Sequence, residues 1–234
     1  RDLLQSFPAN AHILLIRLRS MGDCLLLTAP IRALKQEFPE FRVAVLVERR
    51  FAGCFDGNPD VDEVLAAETK FSAAAQLWKR PFDAILNLHG GPTSLLYACM
   101  PRGKRIGREH YRWPKLYHEL APPPEPAFHT VKNTMELFRW LGLRHDQAPA
   151  LRFEFHPEEA RQIQQKLGDR QPYVVIHPAA LMATKRWEPG RFAEVARDLA
   201  RRNFKIVLTA GPGEESFVTQ VAKEIDGTTI VLGL

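Results

Sequence analysis

Ile-Leu-Leu-Ile-Arg-Leu-Arg-Ser-Met-Gly-Asp-Cys-Leu-Leu-Leu-Thr-Ala-Pro, residues 13–30, is the stretch of sequence that decides the fold class. Its first four residues form an apolar run with the length of a strand that is buried on both faces. Turn-forming residues follow in Ser20–Asp23, and from Cys24 the apolar residues recur with helical spacing. Asp23 therefore lies where a buried strand passes into a helix. In open α/β sheets, this carboxyl edge is where ligands bind.

Strand-like and helix-like segments continue to alternate along the chain. The alternation predicts an α/β fold with doubly wound parallel sheets. Helical patterns cover residues 51–57, 70–79, 93–100, 129–141, 157–167, 188–199 and 216–225. Further strands are predicted at Arg42–Val47, Val61–Leu65, Phe82–Leu88, Lys104–Gly107, Leu151–Phe155, Tyr173–His177, Lys205–Thr209 and Thr228–Leu232. Between them, Arg108–Phe128 has little periodicity, which predicts a long loop that is functional or mobile.

The strand–helix alternation divides the chain into residues 1–155 and 156–234, which we predict to be separate domains. The second domain has only three predicted strands after its first helix, about half of a full nucleotide-binding fold. We therefore expect the chain to be a fragment, or to lack its ordered C-terminal part.

The composition restricts the partners and the compartment. A net charge of +5 and a pI of about 9.2 favour anionic partners such as nucleotide phosphates, acidic lipids or nucleic acid. Three cysteines and eight histidines lack metal-type spacing, so we expect a reducing cytosol, no disulfide framework and no metal site. No apolar run reaches the ~18 residues of a membrane span, and charges interrupt the N-terminal apolar segment. We expect no signal peptide and at most peripheral membrane contact.

Two roles suit Asp23. Aspartate is a favoured N-cap before the first turn of a helix. A carboxylate at the ligand edge of a sheet can also act as a general base and take a proton from a hydroxyl nucleophile. Gly22 places no side chain in the path of an incoming substrate. The two roles are compatible in one residue.

Two loops of the second domain each follow a strand and precede a helix. Thr184-Lys185-Arg186-Trp187 combines a lysine with a helix N-terminus, a combination that binds anions, and Trp187 is expected to pack in a core or hinge. Gly211-Pro212-Gly213-Glu214-Glu215 is not a GxGxxG fingerprint, and there is no Walker A motif. Its glycines suit a simple turn, whereas Glu214 or Glu215 could accept hydrogen bonds from ribose hydroxyls.

Basic residues and a glycine-rich loop mark the first domain. His89-Gly90-Gly91-Pro92 follows a strand and allows a backbone to approach a ligand closely. The basic residues suit either a phosphorylated or carboxylated acceptor or an ordinary solvated surface. Aromatic residues lie between some of them, but no RNP, helix-turn-helix or KH pattern supports nucleic-acid binding. The basic set is Arg49, Arg50, Arg102, Lys104, Arg105, Arg108, Arg112 and Lys115.

Taken together, these segments resemble the ADP-heptose:lipopolysaccharide heptosyltransferases of glycosyltransferase family 9. The resemblance spans nearly the whole chain, with the matching segments in order. They are Ile13–Pro30, Asn87–Gly91, Lys104–Gly107, His129–Asn133, Val174–Pro178, Thr184–Trp187 and Leu208–Glu215.

The resemblance implies a GT-B fold, in which two Rossmann-like domains face a cleft and the C-terminal domain is incomplete in this chain. Residues 1–155 would bind the acceptor and residues 156–234 the ADP-sugar. The implied enzyme is cytoplasmic, at the inner face of the bacterial inner membrane. It would transfer heptose from ADP-L-glycero-D-manno-heptose to Kdo or heptose of the anionic lipopolysaccharide inner core, with inversion, and with neither metal nor nucleic acid.

The resemblance also implies residue roles. Asp23 matches the family's catalytic base and Lys185 its diphosphate-contacting lysine. Thr184 matches a neighbouring donor contact, and Glu214 or Glu215 an acid near the ribose. Acceptor contacts would come from Gly22, Arg49, Arg50, His89, Gly90, Arg105 and Arg108.

The chain departs from the family pattern in two places. The Asp-[Ser/Thr]-Gly-x-x-His segment of the family does not occur in this sequence, and His177–Ala180 lacks a glycine that many members carry. Three alternatives therefore stay open from the sequence: another GT-B nucleotide-sugar transferase, a sugar-nucleotide epimerase, or a non-catalytic nucleotide-binding protein.

Overall fold

The structure is a computed structural model that describes residues 2–168, 172–180, 182–225 and 229–232. The chain divides into two compact units, residues 1–155 and 156–234. Each unit is built on its own parallel β-sheet.

Unit 1 contains a six-stranded sheet in which all neighbouring strands are parallel. The strand order is β3-β2-β1-β4-β5-β6, which is the order of a complete doubly wound nucleotide-binding sheet. The strands are β1 (His12–Ile16), β2 (Arg42–Glu48), β3 (Glu63–Ala67), β4 (Pro81–Asn87), β5 (Arg102–Arg108) and β6 (Glu119–Ala121).

Helices cover both faces of this sheet. The side chains of Ile13 and Leu15 pack on one face with α1 (Met21–Glu37) and α4 (Thr130–Trp140). Those of Leu14 and Ile16 pack on the other face, with α2 (Lys70–Leu77) and α3 (Pro92–Cys99). Ile13–Ile16 is fully buried, as predicted for a central parallel strand. Short 3₁₀ helices lie at Leu4–Ser6, Arg49–Phe55 and Pro114–Leu116.

Two predictions for unit 1 are wrong. The predicted loop Arg108–Phe128 contains a 3₁₀ turn and strand β6, a short strand that extends the sheet at its edge through parallel pairing with β5. The predicted strand Leu151–Phe155 is not a strand. Its backbone turns to α1 instead, where the Arg152 N–H donates to the Thr28 hydroxyl at 3.0 Å.

Unit 2 contains a three-stranded parallel sheet in the order β7-β8-β9. The strands are β7 (Tyr173–Ile176), β8 (Lys205–Ala210) and β9 (Thr229–Leu232), and Thr228 of the predicted strand lies outside the described residues. The helices are α5 (Pro157–Leu167), α6 (Pro189–Arg201) and α7 (Glu215–Ala222), with a 3₁₀ helix at Ala183–Lys185.

The two faces of the unit 2 sheet are also covered by helices. Ile206 and Leu208 pack with α6 and α7, while Val207 packs against α5. The strand predicted at Tyr173–His177 is confirmed, but the burial expected from its apolar residues is wrong, because Tyr173 and Val175 are half exposed. This strand lies at an edge of the described sheet.

No helix in the described parts of the chain is long and apolar enough to cross a membrane. The three cysteines are free thiols: Cys24 and Cys54 are buried and Cys99 is exposed.

The packing of α4 on α1 supports a stability prediction. Phe138 is 1% exposed within this core, so Phe138→Ala should reduce the free energy of unfolding by about 3–5 kcal/mol. Urea denaturation measures the effect. The matched control is Phe71→Ala, because Phe71 is 87% exposed and its loss should change stability by no more than about 0.5 kcal/mol. Equal stability of the two variants would contradict the described core.

Candidate functional site

The candidate site of unit 1 lies where the strand order reverses, between β1 and β4. Arg17 follows β1 and Leu88 follows β4, so both lie at the carboxyl edge of the sheet. The Arg17 Nη1 donates to the Leu88 carbonyl at 2.5 Å, and its Nη2 lies 2.8 Å from Asp23 Oδ2. One guanidinium therefore joins the ends of the two central strands to the carboxylate on α1.

Asp23 is not the N-cap of its helix, which corrects that interpretation of its position. Helix α1 begins at Met21, three residues earlier than the apolar pattern predicts, and Ser20 is the N-cap. Asp23 occupies the third helical position, where its Oδ2 accepts a hydrogen bond from the Ser20 N–H at 3.3 Å. This contact is half of a capping box and orients the carboxylate. The Asp23 side chain stays 31% exposed, so a ligand can reach it.

A pocket of about 270 Å³ adjoins this ion pair. We call it the basic pocket, because its charged lining residues are arginines and, among the described residues that line it, there is no carboxylate. Its polar lining residues include Arg17, His89, Arg108, His110, Tyr111 and Asn133.

Asn87 fixes the loop that carries His89. The Asn87 amide is buried and donates to the Tyr117 hydroxyl at 2.7 Å. Its carbonyl oxygen accepts from the backbone N–H groups of His89 and Gly90, each at 3.1 Å. Gly90 has a φ of +77°, and a Cβ there would lie 2.5 Å from the Tyr111 ring. A glycine is therefore required at Gly90, by the backbone conformation and by the aromatic side chain beside it.

Arg108 has a structural role as well as a place in the pocket. It is buried, and its guanidinium donates to the carbonyl oxygens of Pro122 and Asn133, each at 2.7 Å. Burial lowers the pKa of this guanidinium. The Asn133 side chain in turn donates to the Glu125 carbonyl at 3.0 Å and accepts from the Glu125 N–H at 2.9 Å. The sequence between β6 and α4 is thereby held against the pocket.

The electrostatic environment sets the charge of His89. Burial lowers its pKa below the ordinary value of 6.5, and the positive charges of Arg17 and Arg19 lower it further. His89 is therefore a neutral imidazole near pH 7, able to accept as well as to donate a hydrogen bond. Burial also raises the pKa of Tyr117 to about 12, so its hydroxyl remains protonated.

A second pocket, of about 370 Å³, lies on the other side of His89. We call it the acidic pocket, because Glu48 and Glu68 line it together with a single arginine, Arg19. The Arg19 Nε lies 3.5 Å from a Glu48 carboxylate oxygen. His89 contributes to both pockets and so lies between surroundings of opposite charge.

Three of the predicted acceptor arginines line neither pocket. Arg49 and Arg50 are exposed and pair with Glu68 at 3.0 Å and Glu48 at 2.8 Å. The Arg105 Nε donates to the Leu116 carbonyl at 2.8 Å, which holds the β5–β6 turn. Each of these arginines is therefore already engaged by the protein in this structure.

Gly22 is exposed at the start of α1. A Cβ added there would meet no atom within 4 Å. The fold itself does not require a glycine at this position, and the space beside it is open.

In unit 2, the predicted donor residues fall into two groups. The first lies at the carboxyl edge of the sheet, where the His177 Nδ1 is 3.0 Å from the Thr209 hydroxyl and its Nε2 is 3.6 Å from Glu214 Oε2. The Gly211 N–H donates to the same Glu214 oxygen at 3.1 Å. Glu215 begins α7, where its own N–H and that of Gly213 lower the pKa of its carboxyl.

The second group is the 3₁₀ helix Ala183–Lys185, which precedes α6. Thr184 and Lys185 are exposed there. The Arg186 Nε donates to the Ala180 carbonyl at 2.6 Å, and this hydrogen bond links the two ends of the loop before α6. The expectation that Trp187 packs in a core is wrong, because its ring is 51% exposed and makes an edge-to-face contact with Phe192. The alternative, packing at a hinge, stays a prediction.

Sequence reasoning assigned no site role to Arg17, Asn87 or Tyr111. The sequence contains a pattern that could have identified Arg17, because this residue begins the Arg-x-x-x-x-Gly-Asp portion of the opening segment. No sequence pattern could have identified Tyr111, because its contact with Gly90 joins residues from two different loops. Among the described residues, no group of three or more His, Cys, Asp or Glu side chains is arranged to hold a metal ion.

Comparison with known proteins identifies relatives of this chain. The family model "Glycosyltransferase family 9 (heptosyltransferase)" matches residues 71–233. The chain is 26% identical over 228 residues to lipopolysaccharide heptosyltransferase 3 of Escherichia coli strain K12, covering 88% of this chain and 65% of that protein. A second E. coli protein of that name is 24% identical over 228 residues, with 88% and 66% covered. The chain thus spans about 65% of the length of these curated relatives.

Solved structures show the same fold. A family 9 glycosyltransferase from Veillonella parvula DSM 2008 superposes with a TM-score of 0.83 at 19% identity, covering 95% of this chain and 69% of that one. The E. coli heptosyltransferase WaaC with ADP gives 0.74 at 19% identity, with 95% and 75% covered. The predicted fold class, an α/β chain of the GT-B type with two Rossmann-like units, is confirmed.

The surroundings of His89 support a prediction about the pKa of its imidazole. In an NMR titration, His89 should titrate below pH 6.5, and Arg19→Gln should raise its pKa without restoring 6.5, because burial is the larger cause. Protonation disfavours the folded state, so the stability contributed by neutral His89 is complete above about pH 6.5 and is lost as the pH falls below it. A pKa at or above 6.5 in the wild-type chain would contradict this environment.

Proposed function

We propose that this chain, which belongs to glycosyltransferase family 9, is the greater part of a heptosyltransferase of lipopolysaccharide synthesis. Its donor is ADP-L-glycero-D-manno-heptose, and its acceptor is Kdo or heptose of the inner core. The enzyme inverts the anomeric centre. Family membership favours this reaction over an epimerase or a non-catalytic nucleotide-binding protein.

The observation that carries the proposal is the position of Asp23. The carboxylate lies at the point where the strand order reverses, fixed by Arg17 and the Ser20 N–H, and it remains partly exposed. The three contacts described for it all involve Oδ2. In the proposed reaction, Oδ1 accepts the proton of the acceptor hydroxyl as that oxygen attacks the anomeric carbon.

The basic pocket is the proposed site of the anionic acceptor sugar. Arg17 supplies charge beside Asp23, Arg108 adds a buried charge, and neutral His89 can orient a hydroxyl group. Gly90 lies against the ring of Tyr111, which lines the same pocket. Gly22 leaves room above Asp23 for the incoming sugar. Arg49, Arg50 and Arg105 have a lesser part in this proposal, because each is paired or hydrogen-bonded outside the pocket.

Unit 2 is the proposed site of the donor. Exposed Lys185, with Thr184 beside it, would bind the diphosphate near the start of α6. Glu214 or Glu215 would accept hydrogen bonds from the ribose hydroxyls. As the bond from the anomeric carbon to the diphosphate oxygen breaks, ADP departs with its charge stabilised by Lys185 and by helix N-termini.

We also propose where the enzyme works and under what conditions. Catalysis would require no metal, so turnover should persist in EDTA. The enzyme would work in the cytoplasm at the inner face of the inner membrane, in peripheral contact with lipid, and without nucleic acid.

Asp23→Asn tests the base. Asparagine keeps an oxygen to accept the Ser20 N–H but cannot take a proton, so turnover should fall by about 10²–10⁴-fold. Turnover and ADP-heptose binding should be measured in the protein expressed from its full reading frame, and Asp23→Ala should show the same loss. Donor binding should persist in both variants. Near-normal turnover of Asp23→Asn would remove Asp23 as the base.

Lys185→Ala tests the donor site. Loss of one charge-assisted contact should weaken ADP-heptose binding by about 10–100-fold, as measured by calorimetry. Lys166→Ala is the matched control, because Lys166 is also exposed in unit 2 but lies in the last turn of α5.

A thermal-shift screen with ADP-, UDP- and GDP-sugars identifies the nucleotide. Preference for UDP- or GDP-sugars would overturn the proposed donor, whatever the effect of Lys185→Ala.

A further inference from the structure

The β5–β6 turn of unit 1 presents two large apolar side chains to solvent. Trp113 is 45% exposed and Leu116 is 46% exposed. Trp113 directly precedes the 3₁₀ helix Pro114–Leu116. Trp113 has a φ of +59°, and the hydrogen bond from the Leu116 N–H to its carbonyl closes one turn that contains both residues. We call this pair the apolar tip.

The apolar tip is held firmly from beneath. The Leu116 N–H donates to the Trp113 carbonyl at 3.1 Å, and the Leu116 carbonyl accepts from the Arg105 guanidinium. The next residue, Tyr117, is buried and receives a hydrogen bond from Asn87. The Tyr117 ring also fills the space that a Cβ at Gly107 would enter. The buried ring of Tyr117 and the hydrogen bond from Arg105 therefore hold the turn in place while Trp113 and Leu116 face solvent.

Two basic side chains accompany the apolar tip. The Arg112 guanidinium lies 4.6 Å from the centre of the Trp113 ring, and Lys115 is exposed between the two tip residues. Residues 110–118 include no Asp or Glu, and this segment is flanked in the sequence by Glu109, which is exposed, and by Glu119. Tryptophan is favoured at membrane–water interfaces, and nearby Lys and Arg are attracted to anionic headgroups. An apolar tip with a basic border matches an anionic lipid surface in both respects.

The same turn contributes to the basic pocket. His110 and Tyr111 line that pocket, directly before Arg112 in the sequence. We propose that the apolar tip, with Arg112 and Lys115, inserts among the headgroups of an anionic bilayer and sets the basic pocket beside the lipid surface. A membrane-embedded acceptor would then reach the pocket without leaving the bilayer. This second step, acceptor delivery, rests on the proposed function, whereas lipid binding itself does not.

Vesicle sedimentation tests the docking surface. The full chain should bind phosphatidylcholine vesicles that contain phosphatidylglycerol, and bind them more tightly than vesicles without it. Arg112→Gln combined with Lys115→Gln should weaken binding about 25-fold, from about five-fold for each lost charge. Trp113→Ala combined with Leu116→Ala should weaken it about ten-fold or more. Trp113 fluorescence, taken as the difference between wild-type and Trp113→Ala spectra, should shift to the blue on vesicle addition.

Trp78→Ala is the matched control. Trp78 is 64% exposed in unit 1 and also has a cation beside it, with the Lys79 Nζ 5.8 Å from its ring. It lies at the end of α2, away from the basic pocket. Its loss should leave vesicle binding unchanged. The proposal is overturned if the wild-type chain shows no preference for the anionic vesicles, if either double variant binds as the wild type does, or if Trp78→Ala loses binding equally.

Turnover measurements separate this proposal from the proposed function. The Trp113→Ala, Leu116→Ala double variant should use a water-soluble acceptor without acyl chains at the wild-type rate. It should use a vesicle-embedded acceptor more slowly. Absence of turnover with every acceptor would count against the proposed function, while the sedimentation result would still decide the docking surface. Equal rates of the variant and the wild type on the embedded acceptor would overturn acceptor delivery by the tip.

Discussion

The candidate site of unit 1 depends on the contacts of one guanidinium. Arg17 joins the Leu88 carbonyl at the end of β4 to the Asp23 carboxylate on α1. Parallel strands leave their carbonyl ends unpaired at this edge, so a cation there satisfies the backbone as well as the acid. The ion pair is only partly exposed, which limits the screening that makes surface pairs weak. The position of the proposed base is therefore set by the sheet rather than by a flexible loop.

Charge is separated across this edge in a way that suits an anionic substrate. The basic pocket and the acidic pocket share His89, whose neutral state follows from burial and from two neighbouring arginines. An anion entering the basic pocket meets arginine without a competing carboxylate among the described lining residues. The Glu48 and Glu68 carboxylates engage Arg50 and Arg49 on the far side. The two pockets therefore differ in the charges that line them, which are two arginines in the basic pocket and two glutamates beside Arg19 in the acidic pocket.

Much of the fold could be predicted because its signals are local. The buried run Ile13–Ile16 and the alternation that follows it are properties of consecutive residues, and they are enough to indicate a doubly wound sheet. The failures share a cause. Strand β6 is a short edge strand stabilised by pairing with β5, and Leu151–Phe155 is held by the hydroxyl of Thr28, more than a hundred residues away. A pattern of neighbouring residues does not report contacts of that range.

The sequence by itself determined the α/β class, the location of Asp23 at a carboxyl edge and the resemblance to the family, since each depends on residue type and spacing along the chain. Only the tertiary structure decided that Ser20, not Asp23, caps α1, that Arg17 holds the acid, and that Arg105 supports a turn instead of lining a pocket. It also decided which aromatic residues of the β5–β6 turn are buried and which face solvent. The reason is physical: the role of a charge or a ring is set by its partners, and the partners come from distant parts of the chain.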